Sequence, residues 1–158
     1  KVVELAYPSY KSKDKLDDWY ILILLHYLDL ADGTPLYHQA VHFGELKDGL
    51  IRGSRFDKTV EMEFASFLSD KKDEDIINLC KSLGGEIIKS KFDLSVVFYL
   101  FPNYPVTLNI WFADDEFGAV GSMLVDKSAD NYLTIEDDVV AGEFMLRYIF
   151  ERYNELYM

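Results

Sequence analysis

Residues 93–126 read DLSVVFYLFPNYPVTLNIWFADDEFGAVGSMLVD. Three apolar runs, at 94–101, 106–112 and 119–125, are separated by Pro-Asn-Tyr-Pro at 102–105 and by an acidic turn at 113–118. Short runs rich in Val, Ile, Phe, Tyr and Trp, closed by Pro, Gly, Asn and Asp, predict an antiparallel meander. Alternation then sorts the side chains. Val96, Phe98 and Leu100 oppose Ser95, Val97 and Tyr99, while Val106, Leu108, Ile110 and Phe112 oppose Thr107, Asn109 and Trp111. One face is purely apolar and is expected to carry helices. The other is mixed, and it is the surface the sequence offers for recognition.

The chain on either side of the meander reads as helix. Over 14–31 apolar residues recur at three and four on one side, with Ile21, Leu22, Leu25 and Leu28 on the other, so a central, buried helix is expected. Ser54 and Asp57 resemble a capping box that opens a second helix running to about Ser69. Asp73 is expected to cap a third, which Leu83-Gly84-Gly85 stops through a left-handed residue. Residues 86–91 begin the sheet, and 41–46 suggest a short edge strand that Gly44 weakens. Thr134 and Asp137 cap a last helix running to about Leu156. Residues 1–13 form a lead-in, with Pro8 breaking any helix. Without a repeat, linker or shift of composition, residues 1–158 read as one α+β domain: about four antiparallel strands with helices packed on one face.

Composition narrows the classes of function. The 158 residues carry 28 acidic against 16 basic side chains, a net charge of −12, which opposes binding to nucleic acid or to an anionic membrane surface. The longest apolar run, 19–28, is interrupted by His26 and is too short to cross a bilayer. The one cysteine, Cys80, leaves no internal disulfide or cysteine-rich metal site, which fits a reducing cytoplasm. It lies on the apolar face of a short helix, where a buried structural thiol is expected.

Several stretches then fall into a familiar order. They are ILLHYL in the first helix, Gly-Thr-Pro-Leu at 33–36, Leu83-Gly84-Gly85, Phe101-Pro102 through Pro105-Val106, Trp111, DDEF at 114–117, VDKSA at 125–129, and Tyr132-Leu133. Together they make the chain similar to an uncharacterised bacterial and archaeal family, domain-of-unknown-function family 3786, from about Trp19 to the end. The resemblance implies an anaerobic prokaryotic origin and a cytoplasmic setting. Members fused to a cysteine-rich iron–sulfur segment suggest a place beside redox or metal-cofactor enzymes. It brings no catalytic residue, and the cluster is not carried over because those cysteines are absent here.

Three groups of residues are candidates for chemistry. Asp114, Asp115 and Glu116 place three carboxylates together, which a hard divalent cation or a basic partner would offset. The alternative is a solvated hairpin tip with one carboxylate capping backbone amides. His38 and His42 stand four apart, a metal-ligand spacing, with Asp115 and Glu116 as the other weak metal candidates. His26, on a helix expected to be buried, reads as a hydrogen-bonded core histidine. Tyr99, Tyr104 and Trp111, with Asn109, suit a flat ligand or a partner protein unless the 34–53 loop covers them. These groups support a non-catalytic accessory module that binds a protein partner or small molecule through the mixed face and the acidic turn. They also admit a divalent-metal-assisted hydrolase or lyase, and a homodimer joined through the sheet. No cofactor is assigned.

Overall fold

The computed structural model describes residues 3–6, 9–12 and 18–158. In chain order its elements are strands β1 (Val3–Ala6) and β2 (Ser9–Ser12), helix α1 (Asp18–Leu30), strand β3 (Ala40–Val41), helices α2 (Gly49–Leu68) and α3 (Asp73–Ser82), strands β4 (Glu86–Ile87), β5 (Leu94–Phe101), β6 (Tyr104–Trp111) and β7 (Val120–Asp126), and helix α4 (Ile135–Tyr157). Short 3-10 turns occupy Phe43–Glu45 and Lys127–Asn131. The fold is α+β, with an open antiparallel sheet ordered β3-β7-β6-β5-β4.

The meander supplies the middle of this sheet in the register that alternation requires. Val96 faces Leu108, and Leu108 faces Met123, so the apolar residues of three strands form one continuous row. Pro102-Asn103 makes the tight link between β5 and β6. Proline presets φ at the first turn position and Asn103 accepts a φ of 59° at the second, as a type II turn asks. Such a turn matches strand twist poorly, and the register shifts between Tyr99 and Phe101 to absorb it. Five strands form rather than four because Ala40–Val41 adds a two-residue edge against β7. The 86–91 strand is cut to Glu86–Ile87, and within the 1–13 segment β1 and β2 pair antiparallel.

The helices cover the apolar row. Phe64 of α2 lies on Gly121 of β7, where an added Cβ would sit 2.5 Å from its ring. Gly142 lets α4 approach α2 in the same way, its position 2.5 Å from Phe56 Cζ. Helix α3 ends as expected, with Gly84 at φ +82° and the Gly85 amide donating to the Cys80 carbonyl at 2.9 Å. The Thr134–Asp137 capping box also forms at the start of α4.

Three expectations need correction. Helix α2 starts at Gly49 rather than Ser54, and Asp57 does not cap its own helix. Its carboxylate accepts the Phe43 and Gly44 amides at 3.0 and 2.9 Å, fastening the 3-10 turn to the middle of α2. At α3 the N-cap position is Lys72, with Asp73 already in the first turn. Most consequentially, α1 is not buried all round: Ile23 and Tyr27 are its buried residues, and its opposite side faces solvent. At the border of the layer the helix buries Ile23 and Tyr27 and leaves Leu22, Leu25 and Leu28 exposed.

The close approach of α2 and α4 is open to a direct check. Gly142→Ala should lower stability by about 1–3 kcal/mol, as overpacking does, because Phe56 is itself held edge-on by Phe43 at 4.8 Å. Urea unfolding would measure the loss; a variant as stable as its parent would mean that the two helices part easily.

Candidate functional site

The outer face of the sheet does not gather the residues expected there. Tyr99 and Trp111 share it and are exposed, 55% and 42%. Tyr99 pairs with Pro105, six positions along β6 from Trp111, so the two rings stand about 20 Å apart. One flat ligand does not span that distance. Asn109 is buried: its Oδ1 accepts from Ser95 Oγ at 2.6 Å, and Ser90 Oγ lies 2.6 Å from the same hydroxyl. The cover comes from the 88–93 loop rather than 34–53, and Phe92 reaches within 5.2 Å of Trp111. Tyr104 is on the opposite face, inside the core, because it continues the inward row Val106, Leu108, Ile110. Its place in a surface aromatic group is therefore withdrawn.

The carboxylates and histidines are likewise dispersed. Asp114 Oδ1 accepts the amides of Glu116 and Phe117 at 2.8 and 2.7 Å, and those two bonds hold its pKa below the usual range. Asp115 and Glu116 project into solvent. His38 is exposed with φ of 56°, while His42 Nδ1 stands 3.8 Å from Asp57. Among the described residues no three His, Cys, Asp or Glu side chains converge as a metal site requires. Cys80 is buried, and burial pushes its thiol up to about 11.

What the fold does assemble lies at the border of the sheet. Because β4 pairs with Val96 and Val97 only, no strand among the described residues runs beside 98–101 on that side. Helices α1 and α4 face that gap and leave a groove of about 650 Å³. Tyr20 and Ile23 of α1, Phe98 and Tyr99 of β5, and Phe144 and Tyr148 of α4 line it. Tyr20 meets Phe144 edge-on at 6.4 Å, Arg147 stands 4.6 Å over the Phe144 ring, and burial raises the Tyr20 phenol. Tyr99 is the one sequence-predicted residue in this groove. Neither the groove nor the cleft between α2 and α4 is lined by the acidic turn, His38 or His42.

The solvent side of α1, turned away from Ile23 and Tyr27, is apolar. Trp19 is 60% exposed, Leu22 37%, Leu25 52% and Leu28 48%. Soluble surfaces seldom gather such side chains on one helix without a use for them. His26, on the same helix, is half exposed and bonds through Nδ1 to Asp137 Oδ1 at 2.8 Å. The histidine is hydrogen-bonded as expected, but it sits at the surface rather than in the core.

Below that pair lies a group that sequence reasoning missed. Asp138 is fully buried; its Oδ1 accepts from the Tyr104 hydroxyl, and its Oδ2 has no hydrogen-bond partner among the described residues. Burial pushes its pKa up to about 8 against the opposing pull of the Tyr104 bond, so it is a neutral acid at neutral pH. Tyr104 is raised well above its ordinary value, by burial first and by Asp138 second. The signal was present. Counting back along the inward stripe Ile149, Met145, Gly142 reaches 138, but Glu136-Asp137-Asp138 reads more readily as a solvated acidic first turn.

The family described as a domain of unknown function, DUF3786, matches residues 3–148. The chain belongs to that family. No curated protein and no solved structure matches it. In this DUF3786 chain, several of the stretches that carried the resemblance serve the fold. Leu83-Gly84-Gly85 ends α3, and Asp126 accepts the amides of Tyr37, Gln39 and Ser128 at 2.9, 3.0 and 3.0 Å. Burial would raise the Asp126 pKa, but these bonds outweigh it and hold the group low.

Asp138 carries a pH signature. The folded chain keeps its proton up to about pH 8, whereas an unfolded carboxyl loses it near 4. Folding therefore takes up a proton between those values, and this contribution to stability declines as pH rises from about 4 to 8. Asp138→Asn should remove a decline on the order of a few kcal/mol. Urea midpoints for both proteins at pH 5, 6.5 and 8 test this, and parallel profiles would refute a neutral buried acid.

Proposed function

We propose that this chain is a non-catalytic binding module that docks a partner protein on the face made by α1 and the groove between α1, α4 and β5. The observation that carries the reading is the run of exposed apolar side chains on α1, Leu22, Leu25 and Leu28 with Trp19 at its head. On its other side the same helix lends Tyr20 and Ile23 to a concave, aromatic groove, the usual form of a site that takes an apolar anchor. The surface for docking thus moves from the outer sheet face and acidic turn to the helical border. A cytoplasmic setting belongs to the same proposal, supported by a single buried thiol. No helix among the described residues is long and apolar enough to cross a membrane.

Photo-crosslinking in the native host tests the reading. A benzoyl-phenylalanine at position 25 or 148 should form the same discrete adduct, identified by mass spectrometry and lost when Leu22→Glu is added. The same group at position 62, where Met62 is also exposed on α2, should form none. Equal labelling from all three positions, or none from 25 and 148, would overturn the proposal.

A further inference from the structure

The chemistry of the α1 surface narrows the partner, given the docking reading above. The exposed positions 19, 22, 25 and 28 are spaced by three throughout. On a helix that spacing makes one slanting ridge, the i±3n row that seats in the groove of a second helix. An extended strand would present side chains at a spacing of two along its own axis and would meet this ridge at few points. Within residues 18–32 the formal charges are of one sign. Asp18, Asp29 and Asp32 are exposed, and no Lys or Arg occurs between residues 18 and 32.

The C-terminal end of α1 makes the charge argument sharper. Helix carbonyls leave that end negative, and a cation in the last turn normally answers it. The last turn of α1 has no basic residue and instead carries Asp29, with Asp32 just beyond. Asp32 accepts the Thr34 amide at 2.8 Å, so it is held at that end. A second copy of this chain would bring the same acids against these and add another net −12, which opposes self-association through the ridge. Positive charge arriving from a partner relieves both.

We infer that the α1 ridge docks an amphipathic, cationic helix of a partner protein, whose apolar face packs on Leu22, Leu25 and Leu28 and whose Lys or Arg residues meet Asp18, Asp29 and Asp32. The apolar ridge supplies the contact and the acidic rim selects its sign. Trp19, at the head of the ridge, reports occupancy.

Two synthetic peptides of about 18 residues provide the test. Both carry leucines at helical spacing; one has lysines along the flanks and the other glutamates. Trp111→Phe leaves Trp19 as the single tryptophan. The lysine peptide should shift Trp19 emission to the blue saturably and bind at least about tenfold more tightly than the glutamate peptide, with the difference shrinking in salt. Leu22→Glu with Leu25→Glu should weaken it about tenfold or more. Those changes add negative charge, so attraction by charge alone would instead strengthen. Circular dichroism confirms the fold, and Leu22→Ser with Leu25→Ser serves if the glutamates disturb it.

Equal binding of both peptides, lost in the ridge variant, would overturn the cationic partner while leaving the docking face intact. Binding of neither would overturn the helix-docking inference, with photo-crosslinking still deciding the broader reading. A dimer by light scattering that Leu25→Glu dissolves would make a second copy the occupant. Co-sedimentation with phosphatidylcholine vesicles would make it a lipid surface. Either result overturns the inference.

Discussion

The inner row of the meander, where Val96, Leu108 and Met123 lie side by side, is the contact on which the other parts depend. All three are fully buried, and a slip of one residue in either pairing would turn that strand's apolar set to solvent. Register is secured at both ends. Asn103 tightens the turn between β5 and β6, and Asp126 at the end of β7 gathers three backbone amides that draw the 37–39 segment and β3 onto the edge. With the row fixed, α2 and α4 seat on it at a depth that only Gly121 and Gly142 permit. The groove follows from that seating. Helix α4 stands over β5 where β4 has already ended, and α1 closes the space from the side.

Acidic residues in this chain divide by what their oxygens touch. Asp57, Asp114 and Asp126 each accept two or more backbone amides, and Asp137 is shared between its cap and His26. These are fold devices, each satisfying donors that would otherwise face a turn or a helix end without a partner. Among the described acids Asp138 is the most deeply buried, and it goes in as a neutral acid. A net charge of −12 therefore says little about catalysis, since the best-ordered carboxylates already have structural tasks.

The sequence made the sheet legible because alternation is a local signal: each of the two longest strands declares its faces without reference to the rest of the chain. The helix stops were legible for the same reason, as at Leu83-Gly84-Gly85 and at Thr134 with Asp137. What stayed hidden depends on distant partners. Tyr104 reads as surface because Pro105 looks like a boundary; extending the alternation two residues past Val106 would have put it inside. Asp57 was recognised as a carboxylate suited to amides, but the amides belong to a turn 13 and 14 residues earlier rather than to its own helix. The candidate site was the least legible part. Of its lining only Tyr99 was named, because the groove exists where a strand stops short, and periodicity does not report a missing neighbour.

Helix α1 shows the same limit from the opposite direction. An apolar content spread around the whole helix reads as complete burial, since surface helices ordinarily carry a polar face. Among the described residues its cover comes from α4 and from the Phe101 and Tyr132 rings that stack on Tyr27. A helix can satisfy the sequence rule and the structure together if the rest of its cover belongs to another molecule. That cover would have to tolerate Asp18, Asp29 and Asp32 at its margins, with no cation of α1's own to neutralise them. The last turn of α1 holds no basic residue to answer the negative end of the helix, and a positively charged helix would supply that answer from outside. Local inconsistency in an otherwise consistent fold is expected at functional or strained positions, and α1 is where this chain shows it.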